Sequence, residues 1–254
     1  MLSKYEVDTI VKGIEISWTT WGKMRDEKLV LGAVNYLKSE NEKGFERIFS
    51  VNIEENQTYQ IQQMISYIKE GVMPDSILIT PNTKPSNLAE ILSHEGFIIY
   101  DTDPCMMMYL DDFKNEIIPN NGFSISNIIN IEQLSDWLNI VNKALFNCEL
   151  VTLEQFNDIL NLDNTYFYLG YFDNIPVTAC MTITDGDTSV LEMVATLDEY
   201  RCKRYASSVI TKALSDLREK GIKTISLRSE ADGVGVYKKL GFKECFKRVL
   251  ATLD

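Results

Sequence analysis

The sequence predicts an α/β fold in which helices flank a mixed central sheet, and three observations carry that expectation. Three strand-like runs, at 166–172, 176–184 and 189–196, follow one another with turn signals at Asp173-Asn174 and Asp185-Gly186-Asp187 between them. An amphipathic helix over 204–220 comes next, with Ala206, Val209, Ile210, Ala213, Leu214 and Leu217 on one face and Gly221 as its stop. A strand over 222–227, a short helix over 231–240 ending at Gly241, and a strand-like close over 243–253 then complete an alternating series.

The residues leading into that series fit the same layout. The alternation at 122–129 predicts a short strand, and 132–146 places Leu134, Trp137, Leu138, Val141, Ala144 and Leu145 on one helical face. A second short helix fits 153–160, and Pro176 is compatible with a strand only at its start. The predicted order is therefore strand, two helices, three antiparallel strands, helix, strand, helix, strand.

An echo of the later elements occurs upstream. A helix over 57–70 aligns Ile61, Met64, Ile65 and Ile68, and 76–80 reads as a strand. A helix over 85–95 has proline at its start, and Gly96-Phe97 leads into a strand through Leu110. Helix, strand, helix, Gly-Phe, strand is the order seen again from Arg204 onward, which suggests an ancient duplication. The stretch 117–122 is the natural boundary, giving two domains, 1–118 and 119–254.

With 254 residues and 45% hydrophobic content, the chain is long enough to bury a proper core. Its formal net charge of −12 repels phosphate backbones, which argues against nucleic acid as a partner, and it either leans toward a cationic substrate or only maintains solubility. No apolar run approaches the ~18 residues that would suggest a membrane span. Residues 1–10 include Lys4, Glu6 and Asp8 in place of a signal-peptide block, so a cytoplasmic protein is expected. Five dispersed cysteines without a C-x-x-C pair argue against both a disulfide framework and a zinc site, and fit small core residues. His94 is the sole histidine, expected on a helix surface, so His-rich metal chemistry is excluded and no metal is expected.

Chemistry is concentrated in two segments. Over 191–210 an apolar strand enters a basic turn with Arg201, Lys203 and Arg204, and a helix starts at once. The amides and dipole of a helix N-terminus suit an anion, so this turn is either a phosphate site or a solvated basic loop. The second segment, 229–242, carries Tyr237, which alone is as compatible with a packed aromatic as with a proton donor.

Together the two segments resemble the GNAT superfamily of N-acetyltransferases. Arg201-Cys-Lys-Arg-Tyr-Ala206 is similar to the R/Q-x-x-G-x-G/A signature that wraps the coenzyme A pyrophosphate. Tyr237-Lys-Lys-Leu-Gly-Phe242 is similar to a later Y-x-K-L-G-F segment whose tyrosine lies near the sulfur. The resemblance covers about the last 130 residues and extends only in outline to the first half. It implies the GNAT fold, with two tandem GNAT-like domains of which the first is degenerate. It also implies acetyl-CoA as co-substrate, contacted by Val194, Ala195 and Thr196 on the strand, by Arg201, Cys202, Lys203, Arg204, Tyr205, Ala206 and Ser207 in the loop and helix start, and by Gly233.

The implied reaction is direct attack of a primary amine on the thioester, with Tyr237 as general acid toward the departing thiolate. Glu192, two residues before Val194, is the candidate general base, a surface or ion-paired carboxylate being the alternative. Arg204 stands where the family usually has glycine, Cys202 where glycine is common, and Asp198 where proline is frequent. These departures motivate the alternative of a catalytically silent acyl-CoA-binding module. The acceptor wall is expected to include Trp137 and Phe146, with the 18–22 stretch either lining a pocket or forming core. The partner expected is a small-molecule amine, and the assembly a monomer or homodimer. Residues 54–59 are acidic and polar where the first half would need its own loop signature, so that half is expected to have lost the coenzyme and to shape the acceptor cleft.

Overall fold

The computed structural model describes residues 2–23, 28–30, 32–39, 45–114 and 121–253. The chain forms two compact units. The first comprises Met1–Cys105, Arg228–Ala231 and Glu244–Asp254, and the second Met106–Leu227 and Asp232–Lys243.

The first unit opens with α1 (Lys4–Trp21), started by a capping box in which Ser3 and Glu6 satisfy each other's backbone amides. Three short strands follow, β1 (Lys28–Val30), β2 (Val34–Lys38) and β3 (Arg47–Val51), then α2 (Thr58–Lys69), β4 (Ser76–Ile79), α3 (Leu88–His94) and β5 (Ile98–Tyr109). The chain's last strand, β11 (Lys243–Thr252), also serves this unit. It pairs antiparallel with β4 through Val249↔Ile79, Leu250↔Leu78 and Ala251↔Ile77. The strand order in this unit is β1-β2-β3-β4-β11-β5. Burial explains the use of the last strand here: Ala251 is fully enclosed with Ile48, Ile77, Leu88 and the α2 residues Ile61, Met64, Ile65 and Ile68. The tryptophans of the 18–22 stretch belong to this unit's own core, and Trp18 stacks on Phe49 at 5.9 Å. His94 is exposed, as expected.

The second unit follows the predicted order closely. Its elements are β6 (Phe123–Asn127), α4 (Ile131–Val141), α5 (Leu153–Leu160), β7 (Thr165–Phe172), β8 (Ile175–Asp185), β9 (Thr188–Thr196), α6 (Tyr205–Glu219), β10 (Thr224–Arg228) and α7 (Val234–Leu240). From Met106 onward β5 is its first strand, and the order runs β5-β10-β9-β8-β7-β6. The β7–β8 turn places Asp173 and Asn174 at φ 48° and 64°, the double left-handed geometry of a tight hairpin that matches strand twist. Thr152 and Gln155 form a capping box at the start of α5. The amphipathic face read for α6 packs Val209, Ile210, Ala213, Leu214 and Leu217 against Tyr168, Cys180, Leu191 and Ile225.

One glycine in this unit is dictated by close packing. A Cβ on Gly170 in β7 would lie 2.6 Å from Thr178 Cγ2, 2.7 Å from Phe123 Cζ and 2.8 Å from Val209 Cγ2. Gly170→Ala should therefore destabilise the protein by about 1–3 kcal/mol in denaturant titration, the usual range for overpacking. An unchanged midpoint would show that α6 shifts freely against β7.

Candidate functional site

The site is built around an irregularity in β9. Across the β8–β9 ladder Ala179 faces Ala195, but Met181 faces Glu192, so Met193 and Val194 together oppose Cys180. Met193 adopts φ 52°, the left-handed conformation of a bulge residue. A bulge bends its strand and sharpens the twist, and here its position coincides with the end of pairing to β10. Those parallel pairs run from Thr188↔Thr224 to Val190↔Ser226 only. Residues 191–196 thus lie outside the β10 ladder, while β8 still holds the other edge. The buried Thr178 hydroxyl donates to the Ala195 carbonyl at 2.9 Å and lies 2.8 Å from the Thr196 hydroxyl, fixing the strand where it diverges.

The chain then passes through a single 3-10 turn, Asp198–Tyr200, and a four-residue loop into α6. In that loop Cys202 has φ 62° and Arg204 φ 66°. Non-glycine residues rarely visit this region, yet the backbone path that glycine would favour is kept. A left-handed residue followed by right-handed ones turns successive N–H groups to one side, and left-handed Arg204 leads directly into α6, which makes an anion-binding concavity. The opening bond of α6 runs from Ser208 N–H to the Arg204 carbonyl at 3.0 Å, so the amides of Tyr205, Ala206 and Ser207 precede the ladder. Lys203 and Arg204 add charge at the same end, and Lys203 Nζ lies 5.0 Å from the Tyr200 ring centroid. Tyr205 is buried and stacks on Phe123 at 4.5 Å, anchoring the first turn of the helix. Burial raises its phenol above the ordinary range, with Asp173 and Tyr200 adding to the effect.

Arg201 behaves differently from its neighbours. Its Nε donates to the Thr196 carbonyl at 3.2 Å and its guanidinium to the Ala144 carbonyl at 3.2 Å, with Asp198 3.0 Å away as counter-ion. Ala144 lies in a π-helical turn, Asn142–Phe146, that continues α4.

The two proposed proton-transfer residues occupy different environments. Tyr237, on α7, is 8% exposed and shares an apolar cluster with Leu191 and Phe242, against which Val194 packs. Its ring meets Phe242 edge-on at 5.8 Å. Gly233 caps α7, its carbonyl accepting from Val236 at 2.9 Å and Tyr237 at 3.2 Å. Glu192 is also 8% exposed, and because Leu191 faces the α6 side, strand alternation turns Glu192 to the opposite side. Trp137 of α4 lies on β8, donating its indole N–H to the Cys180 carbonyl at 3.1 Å. Expected on the acceptor wall, Trp137 is instead wholly enclosed, with Phe156 and Phe167 as ring neighbours at 5.4 and 5.0 Å. Phe146 is half-buried. Burial pushes the Cys180 thiol well above the thiol range, which makes it inert core. Cys105 is likewise core, pushed up to about 12 chiefly by burial, whereas Cys148 and Cys202 are exposed, against the general expectation for the cysteines. Among the described residues no helix is long and apolar enough to cross a membrane, and no cluster of three or more His, Cys, Asp or Glu could hold a metal.

Comparison with known proteins places this geometry. Residues 131–242 match the model of the Acetyltransferase (GNAT) family. This segment is a GNAT domain. Over 76 residues the chain is 34% identical to a Bacillus subtilis (strain 168) protein named "Putative acetyltransferase", a match that covers 30% of this chain and 51% of that protein. The chain thus spans about half the length of that relative. Whole-chain likeness comes from solved structures. A GCN5-related N-acetyltransferase from Kribbella flavida superimposes with a TM-score of 0.73 at 16% identity, covering 96% of this chain and 95% of that one. A tandem GNAT protein from the clavulanic acid biosynthesis pathway gives 0.65 at 14% identity, covering 88% and 78%. At such identities the likeness is one of fold, and it extends the GNAT architecture over most of the chain.

In the first unit the end of β3 is closed. There Lys84 N–H donates to the Val51 carbonyl at 3.0 Å and Ile53 N–H to the Lys84 carbonyl at 3.1 Å, so the 80–86 segment is stitched across the end of β3. The following loop carries Glu54, paired with Lys84 at 2.9 Å, and Glu55. What remains is an open cleft of about 1030 Å³ lined by residues such as Asp8, Glu15, Ser50 and Asn82. Glu15 is held above the usual carboxylate range by burial, partly offset by a hydrogen bond from Ser50.

Three contributors to the GNAT site escaped sequence reading: Met193, Thr178 and the Ala144 carbonyl. Neither the bulge nor a backbone acceptor leaves a side-chain signal, and Thr178 looks like any strand threonine. The loop's backbone invites a direct test. Cys202→Gly should leave stability close to unchanged, whereas Cys202→Val should cost about 1–3 kcal/mol, because a β-branched residue tolerates left-handed φ poorly. Equal behaviour of the two variants in thermal melts would show that this conformation is not held.

Proposed function

We propose that the second unit transfers an acetyl group from acetyl-CoA to a primary amine in a ternary complex. The observation that carries this reading is the junction of the bulged β9 edge with the left-handed loop before α6. It offers backbone for an extended amide-bearing arm beside a nest of amides for a diphosphate. Those residues fit coenzyme A chemically: Val194, Ala195 and Thr196 would pair with the arm, amides from Cys202 to Ser207 would hold the phosphates, and the cap of α7 at Gly233 would sit along the same path. The left-handed backbone at Cys202 and Arg204 supports coenzyme binding, and the retained Tyr237 favours the enzyme reading over a silent binding module.

The co-substrate supplies the activated thioester. The chain's own residues align an acceptor nitrogen with its carbonyl, and such positioning can provide ~7–11 kcal/mol of the barrier. A β9 backbone N–H beside the bulge stabilises the oxygen as it gains charge. As the new N–C bond forms and the C–S bond breaks, Tyr237 gives its phenolic proton to the departing sulfur. Glu192, the single acidic residue of β9, takes the surplus proton from the amine. The stitched first unit fits a half that has lost the coenzyme. A cationic small molecule suits the net charge of −12, and a cytoplasmic monomer or homodimer working without metal completes the reading.

The test is to incubate the protein with acetyl-CoA and a panel of primary amines, following thiol release and acetylated product by mass. Acetylation of at least one amine is expected. Tight acetyl-CoA binding with no product from small amines, polyamines or peptide N-termini would favour the silent module.

A further inference from the structure

The geometry points to Arg201 as a positioning residue that couples the coenzyme loop to the 142–151 segment, and this rests on the acetyltransferase reading above. Helix ends leave carbonyls without intrahelical donors. The π-helical turn Asn142–Phe146 ends at Asn147 in a left-handed conformation, φ 54°, and the Ala144 carbonyl lies in its last turn. That carbonyl accepts from the loop before α6, from the guanidinium of Arg201 at 3.2 Å. The same side chain holds the Thr196 carbonyl, where β9 ends and the basic loop begins, at 3.2 Å. One planar fork thus caps two elements, a task that the point charge of lysine cannot reproduce.

A second link spans the same gap, for Lys143 of the π-turn lies 3.8 Å from Glu199 of the 3-10 turn. Behind the π-turn, Asn142 accepts from the Leu150 and Val151 amides at 3.0 Å each and donates to the Val151 carbonyl at 2.7 Å. The 147–151 segment is therefore carried by the turn that Arg201 caps. Π-turns inside helices concentrate at functional sites, since the ladder there is easily rearranged. Ordering the loop around a diphosphate fixes the Arg201 backbone, and the fork transmits that order to 142–151.

Hydrogen exchange tests this with coenzyme A as the probe and the full chain as wild type, Arg201→Gln and Arg201→Lys. Without coenzyme, both variants should exchange 142–151 about threefold or more faster than wild type, the effect of losing one solvent-exposed hydrogen bond. In wild type, coenzyme A should protect both 194–207 and 142–151. In Arg201→Gln it should still bind, within about threefold by calorimetry, and protect only 194–207. Protection of 142–151 persisting in Arg201→Gln would overturn the coupling. Loss of coenzyme binding in that variant would also overturn it, by making Arg201 a phosphate ligand. Unchanged exchange of 142–151 in the free variants would remove the capping role alone, and failure of wild type to bind coenzyme A would remove the functional reading on which the coupling rests.

Discussion

Replacing Tyr237 by phenylalanine should lower kcat by about 10²–10⁴-fold, the usual contribution of a positioned general acid, while leaving acetyl-CoA affinity nearly unchanged. The size of the effect follows from what is removed. Phenylalanine keeps the ring that packs on Phe242 and the apolar cluster around Leu191, so the fold survives and only a hydroxyl is lost. An unprotonated thiolate is a far poorer outcome for the leaving group than a thiol. The rate of thiol release in single-turnover experiments should fall by the same factor. A variant with full kcat would reduce Tyr237 to a packed aromatic. A variant with a raised acetyl-CoA dissociation constant and unchanged kcat would make it a binding residue.

The second large effect is expected at the loop. Reversing both charges, Lys203→Glu with Arg204→Glu, should weaken acetyl-CoA binding by about 10²-fold or more, since a charge-assisted hydrogen bond contributes ~1.5–3 kcal/mol and two are exchanged for repulsion. Both side chains are exposed at the start of α6, so stability should change little. The wild-type dissociation constant should rise with salt and that of the double variant should not, because screening acts on exposed charge. If the double variant binds as tightly as wild type at low salt, the backbone nest alone holds the phosphates and the basic residues are a solvated loop.

How far the sequence foretold this site depends on the kind of signal each part leaves. The three strands β7, β8 and β9 and the helix α6 were legible almost to the residue, because the strands fill the spacing between turn residues such as Asp173-Asn174 and α6 shows a clean 3.6-residue period. The first unit's β1, β2 and β3 were not assigned. They span three to five residues each, too short for period-two alternation to stand out, and α1 mixes threonine, serine and tryptophan on its buried side.

The motif residues 201–206 and 237–242 pointed to the right place, yet the physical devices that shape it are backbone ones. Met193 carries no hint of a bulge, since left-handed φ is signalled by glycine or asparagine and methionine is neither. Cys202 and Arg204 look like obstacles in one dimension; in the fold they keep the conformation that glycine would have made easy. Trp137 shows the converse limit. Its helical face was legible, but whether that face met a substrate or the aromatic rings of Phe156 and Phe167 depended on packing that periodicity does not encode. Arg201 was grouped with the coenzyme-facing residues as the first position of the loop signature, and its side chain turns to the carbonyls of Thr196 and Ala144.

The central claim is that β9 and the loop before α6 form a coenzyme site. Isothermal titration of the full chain with acetyl-CoA tests it most directly. Binding at one site per chain in the micromolar range, reduced by the Lys203→Glu, Arg204→Glu pair, is the result the account predicts. Absence of binding by the wild-type protein would contradict it and would mean that the side chains of Cys202 and Arg204 close a path that their backbone leaves open.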